Sequence, residues 1–148
     1  MLRLDGGATR TVILTRNWAI KIPGVWRHHP RHWWRGLLLG LLANQQEVEF
    51  SACGWPELCP VEFSLWGGWM VVMRRLEVLT NEEFEAHLAD AKRRGFRLDR
   101  RLDGKGTCLP VELKADGWAW DGSFVVAIDY GGGGRGGRAR RPGMSESE

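Results

Sequence analysis

A lysine set between two isoleucines, in "NWAIKIP" (17–23), poses a charge problem. The run reads as a strand, and a strand lysine has two uses. It can sit on an edge with its ammonium in water. Or it can face a cleft, where an unpaired ammonium is costly and a counter-charge must meet it. Two acids on the next predicted helix, Glu47 and Glu49, are candidates. Helical periodicity favours Glu49, which lies nearer the apolar side carrying Leu38, Leu41, Leu42, Gln45 and Val48. A third acid, Asp129, follows the apolar run "FVVAI" and precedes Tyr130-Gly131. On residue type alone it is a strand-end turn acid. "ELKADG" (112–117) holds Glu112, Lys114 and Asp116, and Glu112 and Lys114 alternate there as a solvated strand pair.

Other reactive side chains suggest less. His28, His29 and His32 have no carboxylate or cysteine at ligand spacing and read as a solvated basic turn. His87, between Phe84 and Leu88, reads as a partly buried structural histidine. Cys53, Cys59 and Cys108 are odd in number and lack paired zinc spacing, which points to a reducing, cytoplasmic setting without a disulfide framework.

The elements that must position these residues can be read from pattern. "TRTVILT" (9–15) alternates and turns through "RN" into "WAIKIP", a hairpin closed by Pro23. Residues 31–52 have helical spacing, and the apolar run from Gly36 to Ala43 reads as a buried helix face, being far shorter than the ~20 residues of a membrane span. "CPVEFSLWGGWMVVMRRL" is a second hairpin over Gly67-Gly68. Thr80 and Glu83 form a capping box, with acids in the first turn and Lys92, Arg93 and Arg94 at the end of the helix. "WAWDGSFVVAID" is a third hairpin over Asp121-Gly122. The expected fold is α+β: an antiparallel sheet of about five strands with one packed helix, then a second helix and a small hairpin. Lys21 and Asp129 would share the cleft between the halves.

In this order, Lys21 in "AIK" resembles the lysine strand of the protein kinases, and "IDYG" (128–131) resembles their Asp-Phe-Gly turn. "ELKADG" lies without a gap over the catalytic-loop run D-L-K-x-x-N. The helix segment "GLLANQQE", the strand "CPVEFS" and the terminal "DYG" are similar to short kinase-like proteins of bacteria and phages. The resemblance spans roughly residues 8–131. It implies a minimal protein-kinase-like fold, with 1–79 as an N-lobe-like part and 80–131 as a truncated C-lobe-like part. It implies ATP and Mg²⁺ as ligands, with Lys21 on phosphate oxygens, Glu47 as its helix partner and Glu49 as the alternative. Asp129 would hold the metal. Gly6 and Gly7, in "DGGATR", would cover phosphates as a short turn. Glu112, Lys114 and Asp116 would fall at catalytic-loop positions.

The sequence departs from the kinase pattern at two of these positions. Glu112 stands where the pattern has aspartate, and Gly117, without a side chain, stands where it has the second metal ligand, with Asp116 beside it. These departures weigh against phosphotransfer more than against nucleotide binding. They raise a second expectation, a pseudokinase-like module with a protein partner or a second copy. The stretch 131–148 is Gly/Arg-rich and then acidic, and is expected to be a disordered tail. Its arginines raise a third expectation, nucleic-acid contact. The net charge of +3 at 148 residues is too small to imply a nucleic-acid-binding domain. "MLRLDGGATR" has no apolar signal core, and no membrane partner is expected.

Overall fold

The structure is a computed structural model that describes residues 3–6, 9–24, 33–94, 111 and 114–130. Strands β1 (Arg3–Gly6), β2 (Arg10–Leu14) and β3 (Trp18–Pro23) form an antiparallel meander. Helix α1 (Trp33–Ala52) follows, then β4 (Val61–Leu65) and β5 (Met70–Arg74). The five strands make one sheet in the order β1-β2-β3-β5-β4, so β5 returns to lie beside β3. A second antiparallel sheet joins β6 (Glu77–Val78), β7 (Trp118–Asp121) and β8 (Phe124–Ala127), with helix α2 (Asn81–Arg93) between β6 and β7 in the chain. The expected α+β class holds. The small hairpin has gained β6 as a third strand.

Register fixes which side chains share the face toward α1. Opposed residues in an antiparallel pair point to the same side. Val12 stands opposite Lys21, Arg10 opposite Pro23, and Lys21 opposite Val71. Arg10, Val12, Lys21, Pro23 and Val71 therefore line one face. Lys21 lies on a central strand between β2 and β5, so the edge-strand use is excluded.

The core runs from the C-terminal end of α1 into the second sheet. Phe50, Cys59, Val71, Met73, Phe84, Trp118, Val126 and Tyr130 are buried in it. The segment before β4 joins the two sheets: Cys59 N–H donates to the Ala127 carbonyl at 2.9 Å, and Ala127 N–H donates to the Glu57 carbonyl at 2.7 Å. The Tyr130 hydroxyl donates to the Cys59 carbonyl at 2.6 Å and carries the chain after β8 back to this seam. Burial pushes the Cys59 thiol up to about 11, so it behaves as a packed neutral group.

Three expectations need correction. Most leucines of α1 do not face the core, and Leu37 and Leu41 are only half-buried. Leu38, Leu39 and Leu42 are each about half exposed, and the inward residues are Gly36, Gly40, Ala43, Asn44, Glu47 and Phe50. The reason is space: a Cβ on Gly40 would lie 2.6 Å from the Thr9 carbonyl oxygen and 2.8 Å from Pro23 Cα, so this face of the helix rides directly on backbone. The third hairpin turns over Gly122-Ser123, because Asp121 and Phe124 are already paired; Gly122 takes the positive φ that the tight turn needs. Lys114 is not in a strand but in an extended bend that leads into a short 3-10 turn, Ala115–Gly117. The tail, the three basic histidines and Cys108 lie outside the described residues.

Candidate functional site

Four side chains from four elements meet between the sheet and α1. Lys21 on β3 donates to Glu47 Oε1 at 2.6 Å. Arg10 on β2 reaches the same oxygen at 2.8 Å through Nη1. The other terminal nitrogen of Arg10 pairs with Asp129, just after β8. The Lys21 ammonium also donates to the Ile128 carbonyl, one residue before that acid. Glu47 is fully buried, Lys21 is 5% exposed and Arg10 7%, while half of the Asp129 side chain is open to solvent. The cluster thus has a closed interior and one wet acid at its mouth.

Local structure explains the convergence. Gly36, Gly40 and Ala43 let α1 approach the sheet, and Glu47 follows them on the same arc one turn further along. Asn44 locks the approach. Its Nδ2 donates to the Lys21 carbonyl at 3.2 Å and to the Gly68 carbonyl at 2.8 Å. Gly68 has φ +79°, and a Cβ there would lie 2.4 Å from the Leu41 carbonyl oxygen, so only glycine brings the β4–β5 turn this close.

The electrostatics are balanced. Two cations face two carboxylates, so the formal charge of the cluster is zero. Burial opposes the Arg10 charge, but Glu47 and then Asp129 outweigh it and hold the guanidinium above its ordinary pKa. Glu47 receives both cations on one oxygen. Its Oε2 is buried and has no hydrogen-bond partner among the described residues, which leaves an acceptor for one more donor.

Of the predicted site residues, the structure brings Lys21, Glu47 and Asp129 together. Glu49 lies on the exposed side of α1, where it accepts from Gln45 at 3.4 Å; the periodicity that favoured it assumed inward leucines. Gly117 adjoins the site through its backbone, since its carbonyl accepts from the Ile128 N–H at 2.8 Å. Asp116 and Lys114 are exposed next to it. Gly6 ends β1 opposite Thr11. Glu112 and Gly7 lie outside the described residues.

Sequence reasoning missed Arg10 and Asn44. Arg10 was within reach: the tight β2–β3 turn sets the register, and two residues back from Val12 on the face of Lys21 is Arg10. Asn44 had no comparable signal, because its partners, the Lys21 and Gly68 carbonyls and the Arg10 guanidinium at 3.5 Å, are brought near only by the fold.

Of the cluster's two carboxylates, only Asp129 is open enough to reach a cation from solvent. Among the described residues no three His, Cys, Asp or Glu side chains gather as a metal site. A half-exposed single carboxylate suits Mg²⁺, which keeps waters and takes further oxygens from substrate phosphates. No helix among the described residues is long and apolar enough to cross a membrane. No protein-family model matches this chain, and no curated protein or solved structure matches it.

Proposed function

We propose that this protein binds ATP with Mg²⁺ at the Arg10–Lys21–Glu47–Asp129 cluster, as a kinase-like nucleotide-binding protein. The observation that carries the reading is the pairing of Lys21, on the third strand, with Glu47, on the helix that follows. This pair resembles the strand-lysine and helix-glutamate pair on which kinases depend, and the acid before Tyr130 joins the same cluster through Arg10. The strand lysine, the helix and the terminal acid also stand in the kinase order along the chain. Support for phosphoryl transfer itself rests only on the resemblance of "ELKADG" to the catalytic loop.

Charge balance dictates how such a site would work. A polyanion gains little from cations already neutralised by buried acids. A cation held by Asp129 would free the Arg10 guanidinium to turn from that carboxylate to phosphate oxygens. Arg10 presents a planar fork suited to two oxygens, and Lys21, fixed by Glu47, presents a point charge. The metal supplies charge neutralisation between phosphates. ATP and Mg²⁺ should therefore favour each other's binding.

Thermal unfolding tests this directly. A ligand that binds only the folded protein stabilises it by about 2.7 kcal/mol at one hundred times its Kd. Millimolar ATP with Mg²⁺ should raise Tm by several degrees, and ATP in EDTA should raise it less. An unchanged Tm in both conditions removes the proposal.

A further inference from the structure

The outward face of α1 has no role in the cluster on its inward face. Seven positions share the outward arc: 35, 38, 39, 42, 45, 46 and 49, with Leu42 at the centre. Leu38, Leu39 and Leu42 are 55%, 50% and 52% exposed. The β4–β5 turn, which Gly68 seats against α1 at Leu41, adds Trp66 at 94% exposure and Trp69 at 52%. These are large apolar side chains left exposed on the outward arc of α1 and on the turn seated beside it.

We infer that this face pairs with a second copy of the same chain, the two α1 helices antiparallel across a two-fold axis at Leu42. The charges select this occupant. Arg35 and Glu49 are exposed, opposite in sign, and each seven residues from Leu42. Antiparallel pairing about Leu42 sets Arg35 against Glu49 of the second copy, and the symmetry repeats the contact at the other end. Leu38 then meets Gln46 and Leu39 meets Gln45. A parallel pair would set arginine on arginine and glutamate on glutamate. The positions 35, 38, 42, 45 and 49 alternate by three and four and so share one seam of the helix, with Leu38 and Leu42 as its apolar members. This inference stands apart from nucleotide binding, because the two faces lie on opposite arcs of the helix.

Sedimentation equilibrium of the full chain over a micromolar concentration series tests it. The wild type should be dimeric. Leu42→Asp should be monomeric at every concentration with an unchanged circular-dichroism spectrum. Arg35→Glu and Glu49→Arg should each weaken dimerisation at least tenfold, and the double reversal should restore it. Leu42→Cys should oxidise to a disulfide joining position 42 of one copy to position 42 of the other, identified by peptide mass spectrometry. A wild type monomeric at 100 µM overturns the inference. So does a dimer indifferent to Leu42→Asp, or a double reversal as weak as its singles. Because only mass and cross-linking are read, failure here leaves the ATP titration untouched.

Discussion

The two helices reach their places by different physics. α2 is written locally. Thr80 accepts from the Glu83 N–H at 3.3 Å, the Glu83 carboxylate accepts from the Thr80 N–H at 2.8 Å, and Lys92 and Arg93 sit in the last turn. Phe84 and Ala91 then face the core. α1 has no acid in its first turn and no base in its last, and it turns Leu38, Leu39 and Leu42 outward. What holds it is close backbone approach and a buried charge cluster. A helix placed by its apolar stripe is free to be anywhere the stripe is covered. A helix placed by glycines and a glutamate is committed to one geometry, which is what a site requires.

Perturbing the charged anchor should have the largest effect. Glu47→Ala leaves two cations buried, and should cost about 3–5 kcal/mol in urea unfolding. Replacing the partner as well, in Lys21→Met with Glu47→Leu, should recover most of that loss while abolishing any response to ATP. A double variant no more stable than Glu47→Ala would mean that the pair is not what anchors α1. The close approach comes next. Gly40→Val must displace the Thr9 carbonyl or the Pro23 backbone, and should cost about 1–3 kcal/mol. An equal cost at Gly54, where nothing lies within 4 Å of an added Cβ, would show backbone strain rather than crowding, because Gly54 has φ +73°.

α2 should respond more mildly. Thr80→Ala removes one side of the capping box and should cost about 1 kcal/mol, measured by thermal or urea unfolding. A smaller effect sits at His87, whose ring lies 5.3 Å from that of Trp118. Burial lowers its pKa below 6.5, with Asp90 opposing and Arg94 adding to the shift. The unfolded chain therefore binds the proton more readily. His87 contributes no penalty above pH 6.5, and stability falls as pH drops through that value. His87→Gln should flatten the unfolding midpoint between pH 7 and pH 5.5; an unchanged slope would assign it to other groups.

The same contrast marks how far the sequence could be read. The β2–β3 and β4–β5 hairpins and the whole of α2 follow from alternation, turn residues and caps, because those signals act within a few residues; β1, read as part of a short turn, does not. The inward face of α1 does not, because counting leucines cannot register that Gly36, Gly40 and Ala43 offer room while leucines do not. That error also pulled the expected Lys21 partner toward Glu49; only the kinase resemblance pointed to Glu47. Arg10 was legible through strand register but not through residue type, since an arginine opening a strand is ordinary. Asn44 was illegible, its partners being two carbonyls and the Arg10 guanidinium, all more than twenty residues away in the chain.

The central claim is that Arg10 leaves Asp129 for phosphate when a cation takes its place. Calorimetric titration of ATP into wild type and Asp129→Asn, each in Mg²⁺ and in EDTA, measures this most directly. The wild type should bind tightly only with Mg²⁺. The variant, with Arg10 already released, should bind ATP in EDTA at least as well as the wild type does, and gain little from Mg²⁺. Equal affinities for both proteins in both buffers, or no heat in any of the four, would contradict it.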